Sequence, residues 1–232
     1  METNKDMDAL HGCNQERWQQ AQESEFACWG GFEVGDGDDW SGYWQDNING
    51  YEDLEGKTFD NVIEVGCGPF VQNLTKILEK ISYKKAYALD PLLDSYNLHQ
   101  KSRLYKVCES LGVIKIPLPL EKALSFEEDL EKKMDLVICN NVLDHCFDSD
   151  KCFENIYKML NSGGYLVFGN DLKDPQDESI ARDTLHPIML QEGYLNEIFA
   201  TYKTIYKKII PREECRNPTA TCGCFFGVFA KI

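Results

Sequence analysis

The chain has 232 residues, 43% hydrophobic side chains and a net charge of −15, which suits one buried core with an extension. Its negative field repels phosphate backbones, so a nucleic-acid substrate is disfavoured, and no apolar run approaches the ~20 residues of a membrane helix. The ten scattered cysteines do not form a short secreted disulfide framework, and the opening METNKDMDALHGCNQER lacks a secretory signal, so a cytoplasmic protein with reduced thiols is expected. Cys215, Cys222 and Cys224 lie closest together but lack the C-x-x-C pair of a zinc site, so no metal is expected.

Residues 1–60 hold fifteen acidic and three basic side chains and all four tryptophans, Trp18, Trp29, Trp40 and Trp44. NQERWQQAQESEFACW reads as a helix with Trp18, Ala21, Phe26 and Trp29 on one face. GGFEVGDGDDWSG reads as a loop, and its EVGDGDD core lacks the later glutamate and ligand spacing of a calcium site. Residues 1–60 are therefore expected to form an acidic, tryptophan-rich helical cap on a main domain of residues 61–232. The tryptophans admit two readings, apolar packing or an aromatic grip on a cation.

Beyond residue 60, strand and helix signals alternate. NVIEVGCG is a strand and VQNLTKILEKI a helix; KKAYALDP is a second strand. LLDSYNLHQKSRLYKVCESLG reads as one helix closed by Gly112, VIKIPLP as a third strand, and MDLVICNN as a fourth that is apolar on both faces. DSDKCFENIYKMLNSGG is a helix capped by Asp148 or Asp150, and GYLVFGND is a fifth strand. HPIMLQEGYLNEIFATY mixes helix and turn. KTIYKKII and GCFFGVFAKI form an antiparallel hairpin at a sheet edge. This alternation implies a mostly parallel α/β sheet with helices on both faces.

Ligands of such sheets bind beyond the carboxyl ends of the strands. Gly66 and Gly68 stand at one such end, where backbone without side chains can turn sharply and approach a ligand. Asp90 ends the second strand, where a carboxylate can accept both hydroxyls of a ribose; the plainer reading is a cap for the helix starting near Pro91. A dinucleotide fingerprint needs a third glycine where Val71 stands, which disfavours NAD and FAD.

Taken in order and spacing, these segments resemble the class I S-adenosylmethionine-dependent methyltransferases over roughly residues 60–170. VIEVGCGPF resembles the first motif and YALDPLLDSY the acidic second. The run from LEKALSF through MDLVICNNVLDHCFDSDKCFENIYKMLNSGGYLVF resembles the third-to-fifth-strand stretch. The resemblance implies a Rossmann-like, doubly wound, mostly parallel seven-stranded sheet with an antiparallel last strand, plus the N-terminal helical cap. It implies S-adenosyl-L-methionine as cofactor. Glu64 would order the glycine loop, with Gly66, Cys67 and Gly68 at the cofactor's amino-acid end. Asp90 and Pro91 would lie at the ribose, Glu121 near the adenine, and Asn140 and Asn141 beside the methyl donor. The plainer reading of the two asparagines is turn formation. The family's first motif often carries a third glycine where Phe70 stands, which puts a bulky ring at the methionine end.

A sulfonium is already a strong methyl donor, so the protein's task is alignment and removal of the acceptor's proton. A histidine near ~6.5 suits proton removal. His145, in NVLDHC, and His186, in DTLHP, are the catalytic candidates, while His99 reads as structural or exposed. The expected reaction is methyl transfer to a small-molecule acceptor, with O-methylation of a sugar or secondary metabolite first. N-methylation of a cationic amine is the alternative, motivated by the acidic aromatic cap. A non-catalytic cofactor-binding scaffold and a nicotinamide-dependent oxidoreductase remain as other classes.

Overall fold

A computed structural model describes residues 8–30, 34–96, 98, 104–126, 130–177 and 183–232. Seven strands form one sheet: β1 (Thr58–Val65), β2 (Ser82–Leu89), β3 (Ile114–Ile116), β4 (Met134–Asn140), β5 (Leu160–Leu172), β6 (Tyr202–Ile210) and β7 (Gly223–Lys231), in the order β3-β2-β1-β4-β5-β7-β6. Strands β1 to β5 run parallel, and β7 pairs antiparallel with both β5 and β6. The Rossmann-like, doubly wound sheet inferred from the sequence is present, antiparallel last strand included.

The tail does form a hairpin, but its last strand is interior rather than at the edge. The reason is chemical. Residues 223–229 of β7 are buried throughout, whereas β6 carries Lys203, Lys207 and Lys208, charges that suit the open edge of a sheet.

Alternate side chains of each central strand feed two apolar layers, as the two-residue period of a strand dictates. Val137 and Cys139 of β4 join the layer under α7 (Ser149–Met159) and α8 (Glu192–Phe199). Leu136 and Ile138 join the layer under α4 (Gln72–Leu78) and α6 (Leu104–Leu111). Helix α7 starts where Asp148 Oδ1 accepts the Lys151 N–H at 2.8 Å, the expected cap. Gly112, at φ +64°, ends α6 as expected.

Two expectations need correction. The stretch read as a loop, GGFEVGDGDDWSG, is helical from Val34, within α3 (Val34–Asn47); residues 31–33 lie outside the described set. Glycine and aspartate are poor helix formers, but tertiary burial overrides propensity. Ser41 and Trp44 are buried, and α3 packs on α4. The single helix expected over LLDSYNLHQKSRLYKVCESLG is two, α5 (Leu93–Tyr96) and α6, with residue 97 and residues 99–103, including His99, outside the described set.

Before α3 lie α1 (Asp8–His11) and α2 (Gln15–Gly30). Main-chain bonds tie this segment over the ends of β4 and β5: Cys13 N to Phe147 O at 2.9 Å and Met189 N to Leu10 O at 3.1 Å. Arg17 adds bonds from Nη1 to Thr184 O at 3.0 Å and from Nη2 to Asp183 O at 2.8 Å. No helix among the described residues is long and apolar enough to cross a membrane.

Candidate functional site

The glycine loop leaves β1 and turns back on itself. Gly66 and Gly68 sit at φ +64° and +57°, a conformation that L side chains resist. The Gly66 N–H bonds Leu89 O at 2.7 Å, at the end of β2. A Cβ on Gly66 would lie 2.4 Å from Val142 Cγ2, so the position also lacks room. Behind the loop, Glu64 Oε2 accepts the Leu74 N–H at 3.0 Å and Oε1 accepts Asn73 Nδ2 at 2.9 Å, which anchors the start of α4. Burial pushes the Glu64 carboxyl up to about 7, against these bonds. Asp90, 6% exposed, accepts Gly68 N–H on Oδ2 at 3.0 Å and Leu92 N–H on Oδ1 at 2.8 Å. Burial pushes it up to about 6, with the two N–H groups pulling the other way. The plainer reading of Asp90 as a helix-start cap is thus present, and its carboxylate still faces the cavity described next.

That cavity, of about 330 Å³, opens above the carboxyl ends of β1, β2 and β4. Gly66, Cys67, Gly68, Asp90, Pro91, Glu121, Asn140, Asn141, His145 and His186 all line it; Glu64 does not, being buried behind the loop. Glu121 Oε1 accepts the Phe147 and Asp148 N–H groups at 2.7 and 3.1 Å, linking the cavity to the start of α7. Both polar atoms of the Asn140 carboxamide are buried without a well-formed hydrogen bond, beside the Tyr51 hydroxyl. Asn141, at φ +57°, forms the turn read from the sequence, and its N–H bonds Gly169 O at 2.7 Å.

All four tryptophans line the same cavity. Packing and lining are compatible here, because each ring has two faces. Trp29 meets Phe70 edge-on at 5.6 Å, and Trp40 stacks toward Trp44 at 6.5 Å. Phe70 is buried and does not line the cavity; its ring supports α2 instead. A Cβ on Gly169 would lie 2.9 Å from the Trp44 ring, so that glycine makes room for α3 to lie over the sheet.

At the β4–β5 side the two candidate histidines meet, with ring centroids 4.4 Å apart. Sequence reasoning missed their partners. His145 Nδ1 is 3.2 Å from Glu25 Oε2 of α2, and His145 Nε2 is 3.8 Å from Asp144 Oδ1. His186 Nδ1 is 2.7 Å from Asp183 Oδ2. Lys173, wholly buried, lies 3.3 Å from Asp144 and 3.4 Å from Asp183. Burial alone would pull His145 down, yet Glu25 and Asp144 push it up to about 9. Burial raises Asp183, but the His186 bond and Lys173 hold it well below the usual carboxylate range. Lys173 already neutralises Asp144, so this trio of Asp144, His145 and His186 is an ion-pair network rather than an open ligand set. The Asp183–His186 pair had one faint sequence signal, its three-residue spacing. Glu25 and Lys173 had none, because partners far apart in sequence meet only through the fold.

A family model described as a methyltransferase domain matches residues 40–202. No curated protein matches the sequence. Solved structures share the fold. The Burkholderia thailandensis 1,6-didemethyltoxoflavin-N1-methyltransferase, bound to 1,6-didemethyltoxoflavin and S-adenosylhomocysteine, is 15% identical with a TM-score of 0.60, covering 94% of this chain and 91% of that one. The N-methyltransferase NodS from Bradyrhizobium japonicum WM9, with S-adenosylhomocysteine, is 18% identical with a TM-score of 0.52, covering 75% and 79%. Haemonchus contortus phosphoethanolamine N-methyltransferase 2, with S-adenosylmethionine, is 14% identical with a TM-score of 0.61, covering 81% and 52%.

Proposed function

The chain belongs to the class I S-adenosylmethionine-dependent methyltransferases, and from that premise we propose that it N-methylates a small cationic amine seated against the tryptophans of α2 and α3. It is an enzyme, and S-adenosylmethionine is its methyl donor. The cavity fits that donor: Gly66 and Gly68 put bare backbone on its wall, and the buried Asn140 carboxamide lacks a well-formed partner of its own. In this reading Gly66, Cys67 and Gly68 hold the donor's amino-acid end, and Glu64 braces their loop from behind. Asp90 and Pro91 hold the ribose, Glu121 lies toward the adenine, and Asn140 and Asn141 flank the reacting centre. The donor's sulfonium supplies the methyl group.

One observation carries the choice of acceptor. Among the described residues that line the cavity there is no lysine or arginine; Glu25 is paired with His145, and Asp90, Glu121 and four tryptophans make the rest of the lining acidic and aromatic. Carboxylates and aromatic faces both attract an ammonium. The names of three fold neighbours, all N-methyltransferases, agree with this reading.

An ammonium must shed a proton before its nitrogen can attack. We assign that task to His186. Its Nδ1 lies against Asp183 Oδ2 at 2.7 Å, which favours the proton on Nδ1, and its Nε2, 3.8 Å from Asp144 Oδ2, is the atom that takes the acceptor's proton. His145 is held charged at neutral pH by Glu25 and Asp144, so in this reading it positions Glu25. The segment before β1 acts as the cap, with α2 and α3 excluding water from the transfer. O-methylation of a sugar or secondary metabolite is the second reading, favoured by the His186–Asp183 pair, since a neutral hydroxyl depends more heavily on a base.

The test is release of S-adenosylhomocysteine with a panel of small aromatic and aliphatic amines and their hydroxyl isosteres, with product NMR to locate the new methyl. Turnover of amines with an N-methyl product is expected. Turnover confined to hydroxyl compounds would select the second reading.

A further inference from the structure

Cys215 lies within the connection between β6 and β7, Cys224 stands near the start of β7, and neither is in a disulfide. Their Sγ atoms are 3.0 Å apart, about 1 Å longer than a covalent S–S bond of ~2.05 Å. The surroundings are not those of inert core thiols. Cys224 is wholly buried on β7, opposite Asp171 of β5, and its Sγ is 3.0 Å from Asp171 Oδ1. The other oxygen of Asp171 accepts Asn217 Nδ2 at 2.6 Å, so the carboxylate is fixed toward the thiol. The Tyr43 hydroxyl of α3 donates to the same sulfur at 3.6 Å. Cys215 is partly exposed and therefore reachable from solvent.

We propose that Cys215 and Cys224 are a site of reversible oxidation by a small-molecule disulfide of the glutathione class, and that the bond they form clamps one wall of the cavity. The bounded segment includes Asn217, Pro218 and Thr219, which line the cavity. It also holds Arg216, whose guanidinium lies 4.3 Å over the ring of Trp40, another lining residue. A covalent link from residue 215 to residue 224 turns this segment into a closed ring anchored on β7.

The chemistry balances. Cys215 loses its proton to solvent, and its sulfur attacks one sulfur of oxidised glutathione. That S–S bond breaks, one glutathione thiolate leaves, and a mixed disulfide remains on Cys215. Asp171 takes the Cys224 proton, and the Cys224 sulfur attacks the Cys215 sulfur. The second glutathione leaves and recovers the proton. Two protein thiols are oxidised, and one external disulfide is reduced to two thiols. Burial raises both thiols, Cys215 and Cys224. The Asp171 carboxylate raises both further, so exchange is slow in both directions, forming and reducing the bond alike.

The experiment exposes the native protein to oxidised glutathione, blocks remaining thiols, and maps peptides by mass spectrometry. Hydrogen exchange and calorimetric titration with S-adenosylhomocysteine follow on the same sample. The expected result is a Cys215–Cys224 link, preserved in Cys222→Ser and absent in Cys215→Ser. Exchange over residues 216–221 should slow by about tenfold or more, as closing a loop removes open states. Homocysteine-analogue affinity should stay within about twofold, since the glycine loop lies elsewhere. The proposal is overturned if glutathione stays on Cys215 with no internal link, if the link requires Cys222, or if exchange over 216–221 is unchanged once the link is made.

Discussion

Glu25 of α2 and His145, beyond β4, face each other with Oε2 and Nδ1 3.2 Å apart, and this pair joins the N-terminal segment to the cavity. Trp29 Nε1 donates to the other Glu25 oxygen at 2.5 Å, and Gln22 Nε2 bonds His145 O at 3.2 Å, so the contact is built from several groups of one helix. His145 is raised to about 9 from an ordinary value of 6.5. A raised folded-state value stabilises fully below ~6.5 and is lost as pH rises through ~9. Thermal midpoints should therefore fall between those limits, by on the order of 3 kcal/mol of stability. The groups facing the imidazole are Glu25, Asp144, Lys173 and His186. In Glu25→Gln the pH slope should flatten, and NMR titration should find His145 well below 9.

Asp90 serves two backbone N–H groups and the cavity together. Asp90→Asn should weaken S-adenosylhomocysteine binding by about 100-fold in calorimetry, the scale of losing charge-assisted bonds. Its circular dichroism should stay native. Unchanged affinity would remove Asp90 from the cofactor site.

Gly66→Ala combines a φ of +64° with a Cβ 2.4 Å from Val142. The strain and the overpacking together should cost about 2 to 4 kcal/mol in urea unfolding. Gly163→Ala, at φ +75° with open space around it, should cost only about 1 kcal/mol.

His186→Ala should lower kcat by about 10² to 10⁴ with S-adenosylhomocysteine affinity retained. Asp183→Asn should give a smaller loss, because the imidazole loses the carboxylate that lies 2.7 Å from Nδ1 and fixes the ring. Equal rates in both variants and the wild type would place the base elsewhere.

Lys173 bridges Asp144 and Asp183, and its side chain is fully buried. Lys173→Met leaves two buried carboxylates with only histidines beside them, so chemical denaturation should show a loss of about 3 to 5 kcal/mol. Pairing it with Asp144→Asn should recover a large part of that loss, since one buried charge is then removed.

Much of the fold was written locally. The strands β1, β2, β4 and β5 announce themselves as apolar runs, and Gly66, Gly68 and Asp90 stand at their ends, where a parallel sheet receives ligands. Those signals span only a few neighbouring residues, so ten of the eleven site residues named from the sequence do line one cavity. The eleventh, Glu64, works from behind the loop. Helix α3 was not legible: its Gly/Asp-rich sequence disfavours a helix, and only packing of Ser41 and Trp44 against the domain overrides that preference.

Local sequence was enough for the order of the strands, the glycine turn and the acidic end of β2, because each depends on side-chain periodicity or on backbone freedom at one position. The tertiary structure alone decided which charges meet. Glu25, Asp144, Lys173, Asp183 and the two histidines come from α2, the β4 and β5 ends and the loop before α8, and beyond the neighbours Asp144–His145 and Asp183–His186 no local pattern links them. Electrostatic pairing acts through space and strengthens as water is excluded, so it becomes readable only once the chain has folded its distant segments together.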